Sequence, residues 1–144
     1  MTDDEVNELL SRATVGRLGA CEGKQPYVIP ICFLYYKGRL YFHCGPKGKK
    51  IEILKANPKV CFQVDEHRLV PSSSPCDFTF HYRSVLVFGE ARFPTNSKKK
   101  IRILKMMVDK YDIGKIAKPL DEKMVDRVNI LEIIIRKISG KKNE

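Results

Sequence analysis

The sequence predicts a mainly β domain of the α+β class: a small six-stranded antiparallel barrel, closed or split, with short flanking helices. Three observations carry this expectation. Runs rich in apolar and β-branched residues recur six times along the 144 residues. Most are separated by short segments of turn chemistry with Gly, Pro or Asn. Only three stretches show helical spacing. A chain of this length buries one core, so residues 1–144 are expected to form a single domain.

Thr2-Asp3-Asp4-Glu5 has the spacing of a capping box, and Val6, Leu9 and Leu10 follow on one helical face, predicting a short helix that ends near Arg12. Val15 to Cys21 reads as a strand whose glycines imply a bulge or close approach of other backbone. After the turn Glu22-Gly23-Lys24-Gln25, residues 26–36 read as one second strand, and Tyr36-Lys37-Gly38-Arg39 turns it into a third, Leu40 to Cys44. The three are expected to pair as an antiparallel meander.

Gly45-Pro46-Lys47-Gly48 breaks the strand, and Lys49 to Ala56 is helical until Asn57-Pro58. Val60, Phe62 and Val64 alternate with Cys61, Gln63 and Asp65 as a fourth strand. Residues 67–75, with Pro71-Ser72-Ser73-Ser74-Pro75, read as loop. Phe78 to Phe93 is a long fifth strand with Gly89 as its bulge. Thr95 or Asn96 caps a helix from Ser97 to Tyr111, whose buried stripe is Ile101, Leu104, Met107 and Val108. Arg127 to Ile138 closes the set as a strand apolar on both faces.

Composition narrows the function classes. A chain 43% hydrophobic and 31% charged is globular rather than disordered. The longest apolar run, residues 28–36, is interrupted by Pro30 and falls short of the roughly 20 residues of a membrane span. The acidic start MTDDEVNELL lacks the pattern of a signal peptide, so a cytoplasmic protein is expected. Five cysteines, with no CxxC pair, suggest neither a disulfide framework nor a metal site; each reads as a small buried hydrophobe. His43 and Cys44, adjacent on a strand, point to opposite faces and would not share a metal.

Net charge is +10, from 27 Lys and Arg against 17 Asp and Glu, which favours anionic partners. Lys98 to Lys100 and the basic residues 136–142 read as solvated faces. Lys47, Lys49 and Lys50 differ, because the segment Tyr41 to Lys50 runs from a strand through a glycine-bearing loop into a helix start, where amides, helix dipole and ammonium groups converge. It matches neither GxxxxGK[ST] nor GxGxxG. On residue chemistry alone two readings stand: a phosphate site, or a lysine-rich solvated turn.

The ordered set Gly16-Arg17-Leu18, Pro26-Tyr27-Val28-Ile29-Pro30, Tyr41-Phe42-His43, Gly48-Lys49-Lys50, Asn57-Pro58-Lys59-Val60-Cys61-Phe62 and Tyr82-Arg83-Ser84-Val85 with Gly89 resembles the pyridoxamine 5′-phosphate oxidase-related superfamily of FMN-binding split barrels. It is most similar to the nitroimidazole-reductase-like branch, whose usual ending Ile138-Ser139-Gly140-Lys141 resembles. The likeness implies FMN as cofactor, its phosphate on Lys49 and Lys50, one of which is commonly Arg in relatives. It implies that Ile29, Pro30, Ile31 and Cys32 run beside the isoalloxazine, and that His43 and Cys44 reach the ribityl and phosphate region. Arg83 and Ser84 match residues that approach the flavin from a second subunit, implying a homodimer with interface sites; Arg17 joins the set.

The resemblance further implies a flavin-dependent oxidoreductase drawing electrons from NADH, NADPH or another donor for a small-molecule substrate, the flavin supplying the chemistry and the protein orientation and electrostatics. True pyridoxamine phosphate oxidase activity is disfavoured: where that enzyme resembles an Arg-x-Val-Leu-Leu-Lys strand, this chain has Ile29-Pro30-Ile31-Cys32-Phe33-Leu34. A non-catalytic module that stores or senses flavin, or holds haem, is the alternative, and a deazaflavin would suit the same frame. A nucleic-acid-binding protein would explain the charge, but Tyr35, Tyr36, Phe78 and Phe80 are not interleaved with Lys and Arg as stacking platforms are. His67 and His81 read as surface or interface residues, Tyr82 as core, and Arg83 has an ordinary cross-strand ion pair as its other reading.

Overall fold

A computed structural model describes residues 1–144. Thr2 caps α1 (Asp3–Arg12) through the expected box, its side chain accepting from the Glu5 amide while Glu5 reaches back to the Thr2 amide. The strands are β1 (Val15–Glu22), β2 (Gln25–Cys32), β3 (Leu34–Tyr36), β4 (Arg39–Cys44), β5 (Lys59–Val70), β6 (Thr79–Arg92) and β7 (Asn129–Asn143), and the remaining helices are α2 (Lys49–Ala56), α3 (Ser97–Tyr111) and α4 (Glu122–Asp126). All seven strands form one antiparallel sheet in the order β2-β1-β5-β6-β7-β4-β3.

The expected second strand is two strands. It divides at Phe33, and β2 and β3 lie on opposite edges of the sheet. The three-strand meander is therefore corrected: β1 pairs with β2, but β4 pairs with β3 and β7. One residue joining the two edges forces the sheet to curl until they approach, and that is the split of the barrel. β-propensity sees only a continuous apolar run here, because the division depends on partners far away in sequence. Two strands also run further than composition suggested, β5 to Val70 and β7 to Asn143, since long antiparallel pairing with β6 outweighs the local turn chemistry around Pro71.

The inner face of the curled sheet holds one core, with Leu18, Leu40, Phe42, Phe62, Val64, Val85, Val87, Leu131 and Ile133 each at most 5% exposed. Phe33 fills the seam, edge-on to Phe62 with ring centroids 4.8 Å apart. α1 and α2 add Val6, Leu9 and Leu10, and Ile51 and Leu54, to this core. Gly16 belongs there because a Cβ would stand 2.1 Å from the Phe62 ring, which is the close approach its glycine implied. The expected bulge falls between Phe88 and Gly89.

The outer face has two unlike halves. Over β7, β4 and β3 it is covered by α3 and α4, which bury Leu34, Tyr41, Ile103, Leu104, Met107, Val125 and Ile130 in a second core. Ile103, rather than Ile101 or Val108, is the most deeply set residue of the α3 stripe. Within this layer the carboxylate of Glu132, 4% exposed, accepts from Lys99 Nζ at 2.6 Å, Arg39 Nη1 at 2.8 Å and Tyr41 Oη at 3.0 Å. Over β2, β1, β5 and β6 no helix or strand covers the outer face. No helix is long and apolar enough to cross a membrane.

Candidate functional site

The implied phosphate site stands at the start of α2. Gly48 caps this helix at φ 137°, a conformation L side chains rarely adopt, and no side chain caps the first amides. Lys49 and Lys50 open the helix and have different surroundings. Lys49 Nζ sits 3.0 Å from Glu22 at the end of β1, and that hydrogen bond raises its pKa. Lys50 is half-buried and close enough to Cys44 to oppose the rise that burial gives the thiol. Uncapped amides, a helix dipole and an ammonium make a donor set that fits a phosphate.

His43 and Cys44 divide as strand alternation requires: His43 is exposed on the outer face, and Cys44 is buried in the core with its thiol 3.7 Å from the Asn129 carbonyl. The edge strand β2 alternates likewise. Ile29 and Ile31 pack against the core opposite Leu18 and Gly16, while Val28, Pro30 and Cys32 face outward. Pro30 has no amide to donate, which suits a position at a sheet edge. No group of three His, Cys, Asp or Glu side chains converges as a metal centre needs.

The remaining residues occupy the far end of the sheet. Arg17, opposite Pro30 and Gln63, donates to Asp65 Oδ1 at 2.7 Å. Gln63 Nε2 donates to the same oxygen at 2.9 Å and to Ser84 Oγ at 3.3 Å, and His67 Nδ1 lies 3.1 Å from Asp65 Oδ2. Burial pushes the Asp65 carboxyl up, but these hydrogen bonds and the Arg17 charge outweigh it and hold it below its ordinary range. Arg83, one residue before Ser84, points to the other face, where it meets Glu144 at 2.7 Å and Glu8 at 4.0 Å. A depression of about 400 Å³ between Asp65, His67, Phe80, Tyr82 and Ser84 opens on the outer face.

Within one chain these groups do not make one pocket. The strand registers place Asp65 and Ser84 level with the start of β1, whereas Lys49 meets Glu22 at its end, seven residues and roughly 23 Å away at strand rise. Two residues that sequence reasoning missed, Gln63 and Asp65, lie between Arg17 and Ser84, and Tyr82, expected in the core, instead lines the outward depression one step beyond Ser84. Their signal was the alternation of polar Gln63 and Asp65 with apolar Phe62 and Val64, which marked a half-buried polar row rather than a plain solvent face.

Three comparisons bear on this geometry. The family model described as pyridoxamine 5′-phosphate oxidase matches residues 2–142. A curated but uncharacterised relative from Rhizobium meliloti is 35% identical over 66 residues, which is 46% of this chain and only 43% of that protein. Among solved structures, a candidate 5-nitroimidazole antibiotic resistance protein from Bacteroides thetaiotaomicron superposes with a TM-score of 0.83 at 25% identity, over 96% of this chain and 82% of its own. A FAD-binding protein from Mesorhizobium loti gives 0.70 at 28% identity over 100% and 96%. A FAD and haem binding protein from Mycobacterium smegmatis gives 0.87 at 19% identity over 99% and 72%, a likeness of fold. With a family match over nearly its whole length and this split sheet, the chain belongs to the pyridoxamine 5′-phosphate oxidase family.

Proposed function

We propose that the protein is a cytoplasmic, homodimeric FMN-dependent oxidoreductase that takes electrons from NADH or NADPH and passes them to a small molecule. The observation that carries this reading is the unequal pair at the start of α2: Lys49 is already paired with Glu22, which leaves Lys50 and the uncapped amides of the helix to meet a phosphate. Bound flavin would supply the redox chemistry; the chain's own residues bind and orient it. Ile29 to Cys32 would flank the ring, with Pro30 and Cys32 turned outward toward it.

Distance and surface both support the second subunit. Arg17 and Ser84 are too far from Lys50 to complete the same site within one chain, whereas a partner seated on the bare outer face would bring its own copies near; Arg83, turned to the inner face and paired with Glu144, stands outside that contact. That face carries Val15, Val28, Leu69, Phe80 and Phe88, exposed apolar residues of which Val28 is 64% and Phe80 49% accessible. Apolar side chains gathered on one uncovered sheet face are what an interface core requires.

The first experiment is the visible spectrum of the purified protein with and without added FMN, followed by anaerobic mixing with NADH and NADPH. The expected result is a flavin band that bleaches with one nicotinamide. A colourless protein that leaves FMN fluorescence unquenched would end the reading, a Soret band would replace flavin by haem, and a flavin band no donor reduces would make the protein a binding module.

A further inference from the structure

We infer that Lys110 and Tyr111, in the last turn of α3, are positioning residues that hold the Phe33 backbone at the split of the barrel and, through it, the strand residues 29–32 beside which the flavin is to lie. The role in binding rests on the flavin reading above; the geometry stands without it. At Phe33 the chain leaves one edge of the sheet for the other, so its amide and carbonyl have no ladder to join, and its side chain is fully buried. Buried backbone groups of this kind need partners from elsewhere. α3 supplies them across 78 residues of sequence: the Phe33 amide donates to Tyr111 Oη at 2.8 Å.

The phenol carries a single proton to share between the Phe33 carbonyl and the Thr14 carbonyl, each 2.7 Å away. Lys110 Nζ donates to the Phe33 carbonyl at 3.0 Å and to the Ala13 carbonyl at 2.6 Å, and it stands 4.3 Å from the centre of the Phe33 ring. Two side chains of one helix turn thus fasten the residue between β2 and β3 and the two residues leading into β1. Val15 pairs with Cys32, so the same fastening fixes where β1 and β2 start and stop together. Burial pushes the Tyr111 hydroxyl up to about 12, so it keeps its proton throughout the neutral range.

This arrangement differs from ordinary helix docking. An ammonium beside carbonyls is a costly partner for an apolar seam unless its position is needed, and a leucine would pack the same space. What the pair adds is direction. It sets the angle at which β2 departs from the seam, and with it the line of Pro30 and Cys32 on the outward face.

The test uses Tyr111→Phe, Lys110→Met and the conservative Lys110→Arg, with Lys99→Met as control, since Lys99 is on the same helix but serves Glu132. In the ligand-free protein, the amides of Ile29, Ile31 and Phe33 should exchange about tenfold faster in Tyr111→Phe, while residues 62–64 and 85–87 stay within about twofold of wild type. FMN should bind about tenfold more weakly to Tyr111→Phe and Lys110→Met, a loss about the size of one hydrogen bond, with partial recovery in Lys110→Arg. Lys99→Met should lower the melting temperature without moving FMN affinity or flavin potential.

Unchanged exchange at Ile29, Ile31 and Phe33 overturns the fastening itself. Exchange that rises while FMN affinity and flavin potential hold at wild-type values overturns the positioning role but leaves the flavin reading intact. Wild-type protein that binds no FMN overturns both the flavin reading and the role toward it, and the exchange data then report the seam alone.

Discussion

The covered and bare halves of the outer sheet face each mix apolar side chains with a hydrogen-bonded carboxylate, yet they meet opposite fates. Over β4 and β7, outward residues such as Tyr41 and Ile130 are buried by α3 and α4, and the one carboxylate among them, Glu132, is satisfied by three donors. Over β1, β5 and β6, outward residues such as Phe80 and Phe88 remain accessible, and the carboxylate there, Asp65, shares Arg17, Gln63 and His67 at partial exposure. The first half is completed by the chain itself. The second joins apolar area and knitted polar groups without a cover, and the proposed dimer rests on that face.

The comparison can be broken at its covered end first. Ile103→Ala removes a fully buried side chain between α3 and the sheet and should cost about 2–5 kcal/mol in denaturant unfolding. A smaller loss would mean that α3 is loosely docked. Glu132→Gln keeps the shape but removes the charge from three donors, and should cost about 1–3 kcal/mol. Burial raises the Glu132 pKa, but Lys99, Arg39 and Tyr41 outweigh it and hold the group below its ordinary range. A depressed carboxyl stabilises the fold above its unfolded pKa, and that contribution fades as pH falls through the folded value. Wild-type stability should therefore show an acid-side decline that is smaller in Glu132→Gln.

At the bare end the expected effect moves from stability to assembly. Phe80→Asp with Phe88→Asp should cost dilute protein about 1 kcal/mol, less than either change at the covered end, because both rings are only half covered within the chain. Sedimentation should instead show dimer giving way to monomer; a dimer that survives both charges would place the interface elsewhere. The smallest effect is expected at α2. Lys49→Ala should leave the melting temperature unchanged, since its pair with Glu22 is exposed on both sides. Titration with FMN should find Lys50→Ala the more damaging of the two, and equal losses would return Lys49 to the phosphate.

Features written in neighbouring residues are legible in the sequence. The capping box of Thr2 and Glu5, the Asn96 cap on α3, the bulge at Gly89 and the close approach at Gly16 all depend on residue types whose local chemistry has few outlets. The start of α2 is legible for the same reason. The division at Phe33 is not, because residues 26–36 are one apolar run and nothing local distinguishes an edge from a crossing. Nor is the unequal standing of Lys49 and Lys50, which Glu22 decides from a distant turn.

Sequence alone determined an antiparallel α+β chain with a strand-loop-helix suited to phosphate, since periodicity, caps and turn residues act within a few positions of themselves. Tertiary structure decided which strands are edges, which face is bare, and that Lys110 and Tyr111 hold the seam. Those outcomes rest on pairings between residues far apart in the chain, 97 positions in the case of Lys110 and Ala13. Such pairings exist only after the sheet has curled, so each partner's role is set by where the other arrives.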